Sequence, residues 1–388
     1  MGPACTVRHH YLAEMGVAVM AAGVLLLSAD FGSGHLQAAR AIAEACCEQL
    51  PALGAEVINV ESQLLHLLSV GYLQLLDKAP GAYRRLYNAR VSWPTRTFIH
   101  SMVHGAVARE LRQNDPRVVV ATHPFPGRVA GRMRTAGHLR CPVAVAITDF
   151  QPHPFWVHEG IDRYFVSSGE SALKLQSMGV PADRIRVTGI PIQADFAARR
   201  VQAAQAKVPG RRNVLVMGGG LGLGPIPDAV RSLTRLPREG VKVTVVCGRN
   251  EQLKADLETL VGNDPRFNIL GYTDRVPELM AEADLLVTKP GGITCSEALA
   301  VGLPMLLMQP LPGHEEENAA FLTGTGAAKV VETPLIGAVA HDLLFDSDRR
   351  LALMRHAARL AGFPSAARMV AAEIGALVSE PWWRVVTA

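Results

Sequence analysis

Between Leu285 and Phe321 stand the residues whose types and order are best suited to chemistry. The apolar run Leu285–Val287 reads as a buried parallel strand, broken at once by Lys289–Pro290–Gly291–Gly292. Thr294-x-x-Glu297 then predicts a helix that starts through a capping box. A strand, a glycine turn and a helix N-terminus together present unpaired N–H groups and the positive end of a helix dipole. That combination suits a phosphate or pyrophosphate. Gly291 and Gly292 would let a diphosphate come close to the backbone. Glu297, one turn into the helix, is placed to accept both hydroxyls of a ribose. A second apolar run, Met305–Met308, leads to Pro312–Gly313–His314 and then Glu315, Glu316, Glu317 and Asn318. Acidic residues at the carboxyl end of a strand suit sugar hydroxyls.

The first half of the chain offers a base. Val24–Ser28 reads as a strand entering Asp30–Phe31–Gly32–Ser33–Gly34–His35, followed by a helix to about Gln49. A helix N-terminus disfavours imidazolium, so His35 in the first turn would stay neutral and able to accept a proton. Two later strands, Val118–Ala121 and Val143–Thr148, end in Thr122–His123–Pro124–Phe125 and in a stretch from Asp149 to Trp156. Polar residues directly after parallel strands line the carboxyl edge of a sheet. Asp149 is there to orient a base, with His153 or His158 as alternative bases; the plainer reading of each histidine is a satisfied loop residue.

Positioning these residues takes two α/β halves. A chain of 388 residues suffices for two cores, and the alternation of apolar strands with helical stretches predicts domains 1–194 and 195–388, the final helices able to pack back on the first. In the second half, Val214–Met217 leads into Gly218–Gly219–Gly220, and Val241–Cys247 ends in Gly248–Arg249–Asn250. A glycine-rich turn alone is weak, and no acidic residue ends the next strand to hold a nicotinamide ribose. Residues 195–212, rich in Ala, Gln and Arg, read as the linker. Asp346–Ser347–Asp348 reads as a helix cap rather than a metal motif. The six cysteines form no C-x-x-C pair and read as free thiols in a reducing cytosol. Met15–Ala29 is too short to span a membrane, and no other stretch does.

Charge is unevenly spread. Residues 78–140 carry twelve Lys/Arg against Glu110 and Asp115, a net +10 within a chain of net +4. Arg84, Arg85, Arg90 and Arg96 alternate with aromatics that include Trp93. Rings that sink among headgroups and guanidinium groups that hold lipid phosphates suit an anionic membrane surface. A solvated basic helix is the bland alternative. No nucleic-acid module accompanies the charge.

The ordered set Lys-Pro-Gly-Gly-x-Thr, Glu297 and Pro-Gly-His-Glu-x-x-Asn closely resembles the C-terminal motif of the diacylglycerol glycosyltransferases, which make monogalactosyl- and glucosyl-diacylglycerol (glycosyltransferase family 28). The Gly32–His35 turn resembles their Gly-Gly-Gly-His segment, with Ser33 for the middle glycine, and Thr148–Asp149 with His153 and Trp156 resembles another of their segments. The resemblance implies the GT-B architecture, two Rossmann-like domains facing across a cleft. It implies inverting transfer from a UDP-sugar to diacylglycerol or a related lipid at the cytoplasmic face of the membrane, with no metal or other cofactor. Gly218, Gly219, Gly220, Arg249, Gly291, Gly292, Thr294, Glu297, Glu315 and Asn318 would bind the donor, and His35, Asp149 and His153 would form the catalytic group. Two alternatives share the layout: a UDP-N-acetylglucosamine 2-epimerase and a non-catalytic UDP-sugar-binding membrane protein.

Overall fold

A computed structural model describes residues 6–8, 23–29, 33–60, 105, 107–202, 210–311 and 313–379. The chain forms two compact units, residues 1–193 with 365–388, and residues 194–364. Each is built on a wholly parallel sheet.

The first unit contains β1 (Thr6–Arg8), β2 (Val24–Ser28), β3 (Ala55–Asn59), β4 (Val118–Ala121), β5 (Val143–Ala146), β6 (Arg163–Val166) and β7 (Ile185–Val187), in the order β1-β3-β2-β4-β5-β6-β7. Alternate side chains of β2 enter different cores, as the two-residue repeat of a strand requires. Val24 and Leu26 join the Ser33–Gln49 helix and the last helix, Ala366–Ser379; Leu25 and Leu27 join the Pro124–Thr135 helix and residues of the 107–114 helix. Burial on both faces explains why these strands read as continuous apolar runs. Glu373 fastens the last helix to the sheet through Arg163 at 3.4 Å and Arg186 at 3.1 Å.

The second unit contains β8 (Arg212–Met217), β9 (Val241–Val246), β10 (Phe267–Leu270), β11 (Leu285–Thr288), β12 (Met305–Leu307) and β13 (Ala328–Val330), in the order β10-β9-β8-β11-β12-β13. Sequential strands run outward from β8 in one direction and from β11 in the other. The reversal lies between β8 and β11, just as it lies between β2 and β4 in the first unit. At such a point successive helices leave to opposite faces, opening a crevice beyond the carboxyl ends of the strands.

Three expectations need correction. Residues 195–212 are not a plain linker: Ala194–Gln202 is a helix whose Phe196 is buried and whose Arg199 pairs with Glu278. The amphipathic spacing of Phe196 within an Ala/Arg-rich stretch was the missed signal. The capping box at Thr294 does not form, because the helix starts earlier, at Gly292, with Gly291 as its cap and no side-chain capping bond. Ser347 does precede the Asp348–Ala361 helix, but its hydroxyl donates to Asp342 instead of capping. The aromatic–basic residues Arg84, Arg85, Arg90, Trp93 and Arg96 lie outside the described residues, as do Asp30–Gly32. Among the described residues, no helix is long and apolar enough to cross a membrane, and Cys46, Cys47, Cys141, Cys247 and Cys295 are free thiols.

Candidate active-site residues in the two units

In the first unit the switch point brings together the loops that follow β2, β4 and β5. His35, in the first turn of the Ser33–Gln49 helix, sets Nδ1 2.8 Å from the carbonyl oxygen of Thr122 and 2.9 Å from Thr148 Oγ1. A carbonyl only accepts, so the Nδ1 proton is fixed there, and in the neutral ring Nε2 is the basic nitrogen. Thr122 ties the arrangement together by donating its hydroxyl to the His35 carbonyl at 2.9 Å. Both threonines are buried.

His123 meets the His35 ring edge to face at 4.6 Å between centroids. It caps the Pro124–Thr135 helix, its Nδ1 accepting from the Phe125 N–H at 3.2 Å. Burial, and secondarily the neighbouring His35, hold its pKa well below the usual histidine value. A neutral His123 therefore adds no positive charge against the His35 ring.

The other expected residues stand differently. Asp149 directly follows Thr148 and is half-buried. His153 is exposed and caps a short 3-10 turn, Pro154–Trp156, accepting from the Phe155 N–H at 3.1 Å. His158 accepts from the Gly160 N–H at 3.1 Å, and burial and then Arg128 lower its pKa. Both use Nδ1 as a local structural acceptor. The orienting roles of Thr122 and Thr148 were missed in the sequence, although their position at strand ends was the available signal.

In the second unit, strand register aligns the two candidate phosphate elements. Met217 of β8 stands opposite Thr288 of β11, so Gly218–Gly219 and Lys289 leave the sheet side by side. A Cβ at Gly219, where φ is +73°, would sit 3.8 Å from Lys289 Cε. The loop after β8 also interlocks with the loop after β9. The Arg249 N–H donates to the Gly220 carbonyl at 3.1 Å, and a Cβ at Gly222 would lie 2.4 Å from the Cys247 carbonyl oxygen. Glycine at 222 is thus required by loop–loop contact. Arg249 is exposed and extends over the Tyr272 ring, 5.4 Å from its centroid.

Beyond Lys289 the chain turns through Pro290 and Gly291 into the Gly292–Val301 helix, whose first intrahelical bond runs from the Cys295 N–H to the Gly291 carbonyl at 3.0 Å. The N–H groups of Gly292, Ile293 and Thr294 therefore form the open end of the helix. Asn318 is fully buried and donates to the Pro290 carbonyl at 3.2 Å, bracing this turn from beneath. Glu315, 3% exposed, accepts from Lys289 Nζ at 3.2 Å through one oxygen and from the Leu311 N–H at 3.0 Å through the other. Glu297 is 7% exposed, and burial pushes its pKa up to about 8. Among the described residues, no group of three or more His, Cys, Asp or Glu side chains is arranged to hold a metal ion.

Both units match known proteins. Residues 35–192 match the family model described as monogalactosyldiacylglycerol (MGDG) synthase, and residues 213–366 match the glycosyltransferase family 28 C-terminal domain. A processive diacylglycerol beta-glucosyltransferase of Bacillus licheniformis is 33% identical over 325 residues, covering 79% of this chain and 82% of the relative. The chain belongs to the diacylglycerol glycosyltransferase family. A Bacillus subtilis member of the same name is 32% identical over 328 residues, 79% of this chain and 83% of the relative. Membership makes the chain one of a family of glycosyltransferases.

Solved structures share the GT-B fold at low identity. MurG of Acinetobacter baumannii superposes with a TM-score of 0.58 at 18% identity, covering 91% of this chain and 99% of that one. A UDP complex of MnaA from S. aureus gives 0.62 at 14%, covering 91% and 96%. These likenesses, which include UDP-N-acetylglucosamine 2-epimerases, are likenesses of fold.

Proposed function

We propose that this chain transfers a hexose from a UDP-hexose to the primary hydroxyl of diacylglycerol, with inversion at the anomeric carbon. The observation that carries the reading is the His35 ring, anchored through Nδ1 on the Thr122 carbonyl and thereby presenting Nε2 as a base. His35 takes the acceptor proton as the hydroxyl oxygen attacks the anomeric carbon. Asp149 and His153 belong to the same acceptor region.

The donor is assigned to the second unit. Gly218, Gly219, Gly220, Gly291 and Gly292 admit the diphosphate to backbone N–H groups. The helix opening at Gly292, with the Thr294 N–H in its first turn, takes up the charge that develops on departing UDP. This supports transfer without a metal ion. Arg249 lies toward the base, Glu297 holds the ribose, and Glu315 with Asn318 serves the sugar end. The Bacillus relatives, named as glucosyltransferases, favour glucose as the hexose.

The reaction requires an enzyme that reaches a lipid. The net +10 between residues 78 and 140 supports peripheral attachment to the anionic cytoplasmic face of the membrane. The test is incubation with UDP-glucose, UDP-galactose or UDP-glucuronate, with and without diacylglycerol vesicles, followed by product mass. A glycosyl-diacylglycerol formed only when vesicles are present is expected. Isomerisation or hydrolysis of the UDP-sugar with no glycolipid would overturn the assignment.

A further inference from the structure

Lys289 occupies a place that the reading above leaves without a role. It is the last residue before the Pro290–Gly291 turn, at the junction of the glycine loop after β8 and the open N-terminus of the Gly292–Val301 helix. Its ammonium is held by Glu315 at 3.2 Å, and its side chain remains 25% exposed. The carboxylate side of this pair is much more buried, at 4%, and is separately fixed by the Leu311 N–H. Glu315 is therefore the stationary member, while Lys289 has a flexible stem and water on one side. A lysine ammonium is a compact charge with three donors that re-aim easily.

We propose that Lys289 is a diphosphate ligand held in reserve by Glu315, and that donor binding exchanges its partner. This rests on the reading of the second unit as the UDP-sugar site. When a diphosphate lies against the glycine loop and the helix terminus, its charge draws the ammonium away from Glu315. The released carboxylate oxygen then becomes an acceptor for hydroxyls of the sugar. One event thus couples diphosphate recognition to opening of the sugar subsite. The ion pair also keeps a buried carboxylate satisfied while the site is unliganded, where an uncompensated buried charge would be costly.

The exchange makes opposite-signed demands on the two residues. Lys289→Met should weaken UDP binding roughly 10- to 100-fold, the range of one hydrogen bond to a charged group. It should leave uridine affinity unchanged, because uridine has no phosphate. Lys289→Arg should restore most of the UDP affinity. Glu315→Gln removes the competitor for the ammonium, so UDP should bind as tightly as to wild type or tighter, while transfer from UDP-hexose falls. Calorimetry with uridine, UMP and UDP reads all of this. Equal loss of uridine and UDP affinity in Lys289→Met, or weaker UDP binding in Glu315→Gln, overturns the proposal. A wild-type chain that binds none of the three nucleotides overturns the donor-site reading itself, a separate result.

Discussion

On the proposed assignment of Glu297 to the donor ribose, nucleotide binding should depend on pH, with a sign set by burial. The carboxyl is 7% exposed, and desolvation raises its pKa from an ordinary 4.5 to about 8. In the proposed role each carboxylate oxygen accepts one ribose hydroxyl, which calls for the ionised, acceptor-only form. At pH 7 only about one molecule in ten carries that charge, a penalty of about 1.4 kcal/mol on binding. Uridine affinity should therefore rise about tenfold between pH 6 and pH 7, and level off above about pH 8. Uridine is the correct probe because it has the ribose but no phosphate to titrate. Binding at pH 7 should also release close to one proton, visible as a dependence of calorimetric enthalpy on the buffer. Glu297→Gln should bind weakly and without pH dependence over the same range. Wild-type affinity for uridine that is flat between pH 6 and pH 8 would refute the reasoning.

The same burial has a consequence for stability in the unliganded chain. A carboxyl whose folded pKa lies above its unfolded value binds more protons when folded. Stability attributable to it is then lost as pH rises from about 4.5 toward 8. The two values correspond to an upper bound of about 4–5 kcal/mol, reduced by whatever relaxation lets water in. The melting temperature of wild type should fall relative to Glu297→Gln as pH climbs through that window.

Other outcomes follow from the remaining geometry. His35→Ala should lower turnover about 10²–10⁴-fold, typical for loss of a general base, with UDP affinity retained; near-normal turnover, with loss in His153→Ala instead, would transfer the role. Thr148→Val removes a polar contact to His35 Nδ1, so it should shift the pH profile of turnover while UDP-sugar KM stays constant. Gly222→Ala places a Cβ against the Cys247 carbonyl at a φ of +60°; a left-handed non-glycine residue costs about 1–2 kcal/mol before the clash is counted, so melting temperature and UDP affinity should fall together. Replacing Arg84, Arg85, Arg90 and Arg96 with Gln should lower flotation with anionic vesicles and activity on membrane-embedded acceptor, leaving UDP binding intact. Equal binding of wild type and that variant to neutral and anionic vesicles would leave the charge as a solvated surface.

Much of the fold was legible because parallel strands buried on both faces are continuous apolar runs closed by glycine or polar residues. Val24–Ser28 and Val118–Ala121 have the expected bounds, and the family resemblance carried by Lys289–Asn318 is borne out by its relatives. The failures came where local chemistry was ambiguous. Thr294-x-x-Glu297 matches a capping box, yet two glycines before it let the backbone enter the helix early, which turns Thr294 into an interior first-turn residue and leaves Glu297 buried without a capping role. Residues 328–330 form an edge strand with only Ala328 buried, too short and too exposed to stand out from a loop. His153 and His158 looked like His35 in sequence, since all three are polar residues after turns. Only bonding separates them: His153 and His158 use Nδ1 as a local acceptor, whereas His35 donates from it.

What sequence order does not contain is which strand ends become neighbours. His35 and Thr122 are 87 residues apart, and His35 and Thr148 are 113 apart. Each was already placed at a strand's carboxyl end, but their meeting depends on β2 lying beside β4 and β4 beside β5. Likewise Gly219 reaches Lys289 only because β8 pairs with β11 in a register that ends both strands level. In each unit the reversal of strand order falls between the strands that supply the first and decisive contact, and there the connections diverge and leave side chains room to face a ligand. A shift of one residue in the β8–β11 register would turn the Gly219 and Lys289 positions toward opposite faces. The glycines at 222 and 248 act on the other side of β8: each fits against a carbonyl only when the loops after β8 and β9 meet as they do, which holds β8 level with β9. Gly222→Ala is accordingly expected to reduce nucleotide affinity by displacing the glycine loop after β8 from beside Lys289, acting from a position that the helix terminus and Glu297 do not share.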